Sequence, residues 1–266
     1  MLLLKRNQYI GIGLLSLLFI SALTVSWSTP IKGSVQDLSN ALAMPSSAHW
    51  LGTDQYGRSM VVRLSEAITL SFGLALICML TSSIIGTGLG TLAAWQGKRL
   101  EQLLDVVSNI LLAMPALVVV LLLSAIFPGS FVAIYVAIAM VQWIEYYRVV
   151  KSRSRIVLAS SRVEASKMLG FSNLYVLRRH VWPEIAGTVL TLAAFGGANA
   201  VLMMATLGFV YVGLQPPIAE LGLMSVELFP YYEQAPWLLI QPLIVISLLV
   251  LGFHLIAGET TSETEY

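Results

Sequence analysis

Long apolar runs alternate with short polar interruptions along this chain. The runs cover residues 9–27, 68–95, 103–127, 131–147, 187–212 and 236–256. A membrane-spanning helix needs roughly 20 mostly apolar residues. The pattern therefore predicts an all-α integral membrane protein with six transmembrane helices. Only Pro128-Gly129-Ser130, a turn signal, separates the third run from the fourth. In the fifth, Gly196-Gly197 and Gly208 let another helix approach closely.

Composition agrees: 57% of residues are hydrophobic and 11% charged, with mean hydropathy +0.82. The net charge of +1 carries little information, because the charges are segregated. With the N-terminus in the cytoplasm, Lys5, Arg6, Lys98, Arg99 and the basic residues from Arg148 to Arg179 fall inside. Only Lys32, Arg58 and Arg63 remain outside, and six spans return the acidic tail, residues 259–266, to the cytoplasm. The first run is long for a signal peptide, and no clean small-x-small cleavage site follows it. A single cysteine, Cys78 in an apolar run, rules out an intramolecular disulfide and reads as a buried or lipid-facing small residue.

The runs are nearly free of ionisable groups. Glu66, Glu101, Asp105, Glu145, Arg148 and His254 lie near their ends. Ion-coupled carriers, proton pumps and voltage sensors bury such groups at the midplane. No His-Glu-x-x-His, Gly-x-Ser-x-Gly or phosphate-loop pattern occurs, and nothing resembles a metal-ligand set. Uphill transport by this chain would draw its energy from another chain.

The largest interruption, residues 150–183, holds Lys151, Arg153, Arg155, Arg162, Lys167, Arg178 and Arg179. Residues 162–169 lack Gly and Pro and are rich in helix formers, and Gly170 is a natural stop. Such an element either fits a groove on a cytoplasmic partner or is a basic loop that fixes topology and meets anionic lipid.

Three separated motifs carry a resemblance. Glu164-Ala165-Ser166, then Gly170, then Val181-Trp182-Pro183, resembles the Glu-Ala-Ala loop of ABC-importer permeases, with Ser166 in place of the second Ala. His49-Trp50-Leu51-Gly52-Thr53-Asp54-Gln55-Tyr56-Gly57-Arg58 resembles a motif before the second span in the oligopeptide/dipeptide/nickel branch, with Ser59 where that branch has Asp. Gly213-Leu214-Gln215-Pro216-Pro217 follows the fifth span, and Leu221-Gly222 stands where the family has Trp-Gly. The chain resembles the C-type permease subunit of that class over roughly residues 1–257.

The resemblance implies a pore-forming subunit with no catalytic site of its own and no bound cofactor. ATP and Mg belong to two cytoplasmic ATPase subunits. A second permease subunit, an extracytoplasmic solute-binding protein and the lipid bilayer complete its partners, with no nucleic acid. It makes residues 162–171, between spans four and five, a coupling helix seated on an ATPase. Arg162, Glu164, Ala165, Ser166, Leu169, Gly170, Phe171 and Pro183 are its site residues. His49, Gly52, Thr53, Asp54, Gly57 and Arg58 form an outer motif, either a packing lead-in to the second span or a gate or docking surface. Phe229, Tyr231, Tyr232 and Trp237 read as a docking surface or an interfacial belt. Asn199, Met203, Met204 and Thr206 are candidates for the translocation path, helix packing being the alternative. Residues 1–66 are expected to form the first span and outer loop, 67–257 the permease core, with coupling loop 151–183, and 258–266 a short tail. Cargo is a di- or oligopeptide first, nickel or a metal–metallophore complex second. A polytopic scaffold or sensor is the non-transport alternative.

Overall fold

The computed structural model describes residues 6–29 and 33–258. Lys5, Lys32 and the acidic tail lie outside them. The described residues form helices α1 (Arg6–Ser28), α2 (Met60–Gln96), α3 (Lys98–Leu112), α4 (Ala116–Ile126), α5 (Phe131–Leu158), α6 (Ser161–Met168), α7 (Asn173–Phe209), α8 (Leu221–Leu228) and α9 (Pro236–Ala257).

Four of them, α1, α2, α7 and α9, are long and apolar enough to cross a membrane. A fifth candidate is the α3–α4 pair, bent by 84°. The third expected span is therefore bent, either a broken span or a re-entrant loop. Pro115 supplies the reason: it lacks a backbone N–H and disfavours helical geometry at Met114. The fourth expected span falls in α5, which runs on to Leu158 and is not among these candidates, so the described residues show four or five of the six expected spans, and Lys151, Arg153 and Arg155 are helical rather than loop residues. The fifth begins at Asn173. The interruption expected over 151–183 thus contracts to α6 and its two short flanks.

The polar face of α3 explains its early start at Lys98. Asn109 accepts from Arg148 (2.6 Å), and Asp105 from Lys151 (2.5 Å) and the Tyr147 hydroxyl (2.8 Å), while Glu101 accepts from Arg155. Acceptors one turn apart on α3 meet donors along α5 in reverse order, an antiparallel ladder.

Pairings set the directions of the other helices. Cys78 Sγ lies 4.0 Å from the Tyr135 carbonyl oxygen. A Cβ on Gly86 would lie 2.5 Å from the Trp143 oxygen, and one on Gly90 2.8 Å from the Tyr147 oxygen. Positions on α2 and α5 rise together, so these helices run parallel, and the chain between them must return across the bundle. Gln142 Nε2 donates to the Gly196 carbonyl (2.7 Å) and the Tyr146 hydroxyl to that of Leu192 (3.1 Å), which makes α5 and α7 antiparallel. Gln8 Nε2 donates to the Ile256 carbonyl (3.0 Å), which makes α1 and α9 antiparallel. The starts of α1 and α7, the ends of α2, α5 and α9, and α6 therefore share one end of the bundle, here the loop end. Residues 33–59 and α8 lie at the far end. The main core joins Leu74, Ala75 and Cys78 of α2 to Ile134, Ala137 and Ile138 of α5 and Val201, Met204 and Leu207 of α7.

Candidate functional site

At the loop end, α6 starts after Ser160 and stops in a glycine cap. Phe171 N–H donates to the Ser166 carbonyl (3.1 Å) and Gly170 N–H to that of Lys167 (3.0 Å), the paired bonds of a Schellman motif. Gly170 has φ +80°, and nothing lies within 4 Å of where its Cβ would be. Glycine is needed there for conformation and not for space.

The two faces of α6 differ. Val163 and Ser166 are its buried residues. Arg162, Glu164, Ala165, Leu169, Gly170, Phe171 and Pro183 are exposed. Met168 and Leu169 are 80% and 76% exposed. Glu164 forms no ion pair among the described residues; Lys167 instead lies over the Trp95 ring, 5.7 Å from its centroid. Two further contacts join α6 to the first turns of α7: Arg162 to Glu184 (3.4 Å) and Ser166 Oγ to His180 Nε2 (2.9 Å). Phe171 stacks on Tyr175 at 4.3 Å, and Tyr175 meets His180 edge-on.

His180 sits in a π-helical turn, Leu177–Val181, just before Pro183. A proline inside a helix removes one backbone bond and crowds the carbonyl four residues earlier, here that of Arg179. A widened turn relieves that crowding.

At the far end, residues 49–58 fold into a buried, ion-paired loop. Asp54 is fully buried, as is Arg63, and Arg58 is 2% exposed. Asp54 Oδ2 accepts from Arg58 Nε and Arg63 Nη1, both at 2.5 Å. Both arginines also reach Glu227 Oε2, at 3.3 Å from Arg58 and 3.0 Å from Arg63. The other oxygen, Asp54 Oδ1, accepts the backbone N–H groups of Tyr56 and Arg58 at 2.9 Å. Thr53 Oγ1 donates to the Asn40 carbonyl and accepts from Ala43 N–H (2.9 Å). Gly52 and Gly57 both have positive φ, and His49 closes a turn through its carbonyl to Ser46 N–H and Gly52 N–H. Ser59 precedes α2 without a side-chain cap bond. This loop thereby ties the start of α2 to α8.

Nearby, Glu220 caps α8 by accepting from Gly222 N–H (2.9 Å) and Leu223 N–H (2.7 Å). Burial pushes its pKa up to about 7 against the opposing pull of those N–H groups. A Cβ on Gly222 would lie 1.9 Å from the Ala205 carbonyl oxygen, so α8 packs directly on the end of α7. Leu221 is fully buried. Phe229 and Tyr232 are exposed and stacked, their ring centroids 5.8 Å apart. Tyr231 and Trp237 are half-buried.

On α7, Asn199 is half-buried, and its side chain makes no hydrogen bond among the described residues. Met204 is buried in the core and Met203 packs against it. Thr206 Oγ1 donates to its own helix, at the Leu202 carbonyl (2.8 Å). Sequence reasoning missed Arg63, Glu227 and Glu220, and also Gln142 and Tyr146, which bind the α7 backbone. For the last two there was a signal: an amide and a phenol one turn apart in an apolar run.

Comparison with known proteins fits this architecture. Residues 86–258 match the family described as binding-protein-dependent transport system inner membrane component. The chain is 30% identical to the dipeptide transport system permease protein DppC of Alkalihalophilus pseudofirmus over 257 residues, which cover 95% of this chain and 84% of the relative. It is 27% identical to the oligopeptide transport system permease protein OppC of Bacillus subtilis over 252 residues, 95% of this chain and 83% of the relative. It is also 27% identical to the nickel transport system permease protein NikC of Escherichia coli over 243 residues, 91% and 88% of the two chains. With the bundle, the bent α3–α4 pair and the capped loop helix in place, the chain belongs to the family of inner-membrane permease components of binding-protein-dependent ABC importers.

Proposed function

We propose that this chain is a pore-forming permease subunit of an ATP-driven importer and that α6 is its coupling helix. It crosses the membrane six times, with α3–α4 as one broken crossing, and its loop end faces the cytoplasm with both termini. A second permease completes the pore, and two ATPases that hold ATP and Mg sit beneath. A solute-binding protein delivers cargo at the far end. Peptides come first as cargo and nickel or a metal–metallophore complex second, in line with the dipeptide, oligopeptide and nickel permeases that the chain resembles.

One observation carries the coupling role. Met168, Leu169, Phe171 and Leu174 expose apolar surface in a loop whose neighbours, Arg162, Glu164, Arg178 and Arg179, are charged and exposed. Contiguous apolar surface amid solvated charge marks a protein-docking site. Glu164 stands free to meet a basic or polar group there.

Replacing Glu164 with Ala or Gly170 with Ala is expected to uncouple ATP hydrolysis from uptake while the protein still inserts. The readout is ATP hydrolysis and solute uptake in the same proteoliposomes. Normal uptake by both variants would remove the coupling role. The solute retained by the cognate binding protein, identified by mass spectrometry and metal analysis, decides between peptide and nickel.

A further inference from the structure

Besides the fully buried Val163, three polar side chains hold α6 against the bundle. Lys167 lies over the ring of Trp95 at the end of α2. Arg162 and Ser166, one turn apart on α6, meet Glu184 and His180, one turn apart on α7. The last two contacts form antiparallel rungs between the loop helix and the span that follows it.

The rungs are unequal. Arg162 and Glu184 are 70% and 50% exposed and 3.4 Å apart. An exposed pair of that kind contributes little and is screened by salt. Ser166 is 9% exposed, and its Oγ lies 2.9 Å from His180 Nε2. The same Oγ is 3.0 Å from the Arg162 carbonyl oxygen. A serine hydroxyl has one proton to give. Both contacts are satisfied together when the hydroxyl donates to that carbonyl and accepts from the His180 tautomer that carries N–H at Nε2. The chain then runs from the α7 imidazole through Ser166 to the α6 backbone. An alanine at position 166 supports neither link. Serine there is where this chain departs from the loop pattern it resembles, and the departure has a bonding partner.

We propose that Ser166 and His180 form a strut that makes α6 and the first turns of α7 move as one body. Both act as positioning residues: Ser166 faces the bundle, and the surface left for a partner is Met168, Leu169 and Phe171. The π-helical turn places His180 for this contact, and edge-on packing against Tyr175 steadies its ring. A pull on α6 then passes into α7, the helix carrying Asn199 and Thr206, through a bond to its first turns rather than through the loop backbone. This inference rests on the coupling role of α6 proposed above.

The test uses the whole transporter, with spin labels on Ser161→Cys in α6 and Leu190→Cys in α7. Both sites are exposed, and Cys78 is fully buried and stays unlabelled. The 161–190 distance is measured without nucleotide and after trapping with ATP, Mg and vanadate. A single narrow distance common to both states is expected for the parent. Ser166→Ala and His180→Ala should each add a second, trapping-dependent distance, with the detached fraction rising roughly fivefold, the worth of one net hydrogen bond. His180→Gln, which keeps a donor, should restore the single distance, and the double alanine variant should be no worse than either single. A parent distance that shifts on trapping overturns the strut. So does a Ser166→Ala variant that behaves as the parent, or one that loses its ATPases. Leu169→Asp separates the two proposals. If the ATPases still co-purify with it at the normal ratio, the coupling role itself fails. If they are lost while Ser166→Ala keeps one distance, only the strut fails.

Discussion

At Asp54 a single carboxylate oxygen accepts from two buried guanidinium groups, and the second oxygen holds the backbone of the same loop. Removing one member of a buried ion network costs ~3–5 kcal/mol, because the charges left behind stay desolvated. Asp54→Asn is therefore expected to lose most folded protein, seen as aggregation on size exclusion in detergent and a lowered thermal midpoint. Glu227→Gln should cost less, since its contacts are longer and Glu227 is 9% exposed. Equal losses would contradict that ranking. The Asp54–Arg58 contact was legible in the sequence as an i, i+4 pair. Arg63 was legible only as an outer positive charge, and Glu227 not at all. Pairing across a long stretch of chain leaves no local period. Gly170 is the opposite case: a stop signal after a helix-forming stretch fixes the left-handed residue it needs, and the structure has that residue at φ +80°.

Among the long helices, α2 and α5 approach each other closely at two glycines one turn apart. Gly86 and Gly90 of α2 face the backbone of Trp143, Tyr147 and Lys151, so there is no flexible side chain to yield. Gly86→Leu is expected to force these helices apart and cost several kcal/mol, on the order of overpacking a rigid core. Gly88→Leu, on the same helix with nothing within 4 Å, should be tolerated. Thermal unfolding of the two variants side by side decides it, and equal midpoints would sink the close-approach reading. The small-x-x-x-small spacing of Gly86 and Gly90 is legible in the sequence; Gly196 and Gly197 meet side chains instead, the Tyr146 hydroxyl and the Phe253 ring. The α3–α4 break shows a different limit. Hydropathy alone joins residues 103–127 into one run, and only Pro115 within it hints at an 84° bend. The early start of α3 depends on donors from α5, which lie beyond any local window.

For the whole molecule, helix directions follow from packing without reference to a bilayer. Parallel α2 and α5 require the α3–α4 pair to carry the chain back across the bundle. Antiparallel α1 and α9 put Gln8 beside Ile256, at the end where α6 lies. This geometry relates the ends to one another, and the proposed orientation rests on the positive-inside rule. Arg148, Lys151, Arg153 and Arg155 at the end of α5 and Arg178 and Arg179 at the start of α7 all lie at the loop end. A six-crossing chain with that end inside makes a direct prediction for cells treated with a membrane-impermeant maleimide. A cysteine at Glu233, exposed at the far end, should react in intact cells. One at Ser161, exposed on α6, should react only after the membrane is opened. Cys78 is fully buried, so the natural cysteine gives no background. Reaction of both sites in intact cells would mean that the number of crossings between α6 and α9 is even, and α7 could then not span the membrane. Reaction of Ser161→Cys alone would keep the crossing and reverse the orientation. That would place the exposed apolar surface of α6 outside the cell, away from any ATPase.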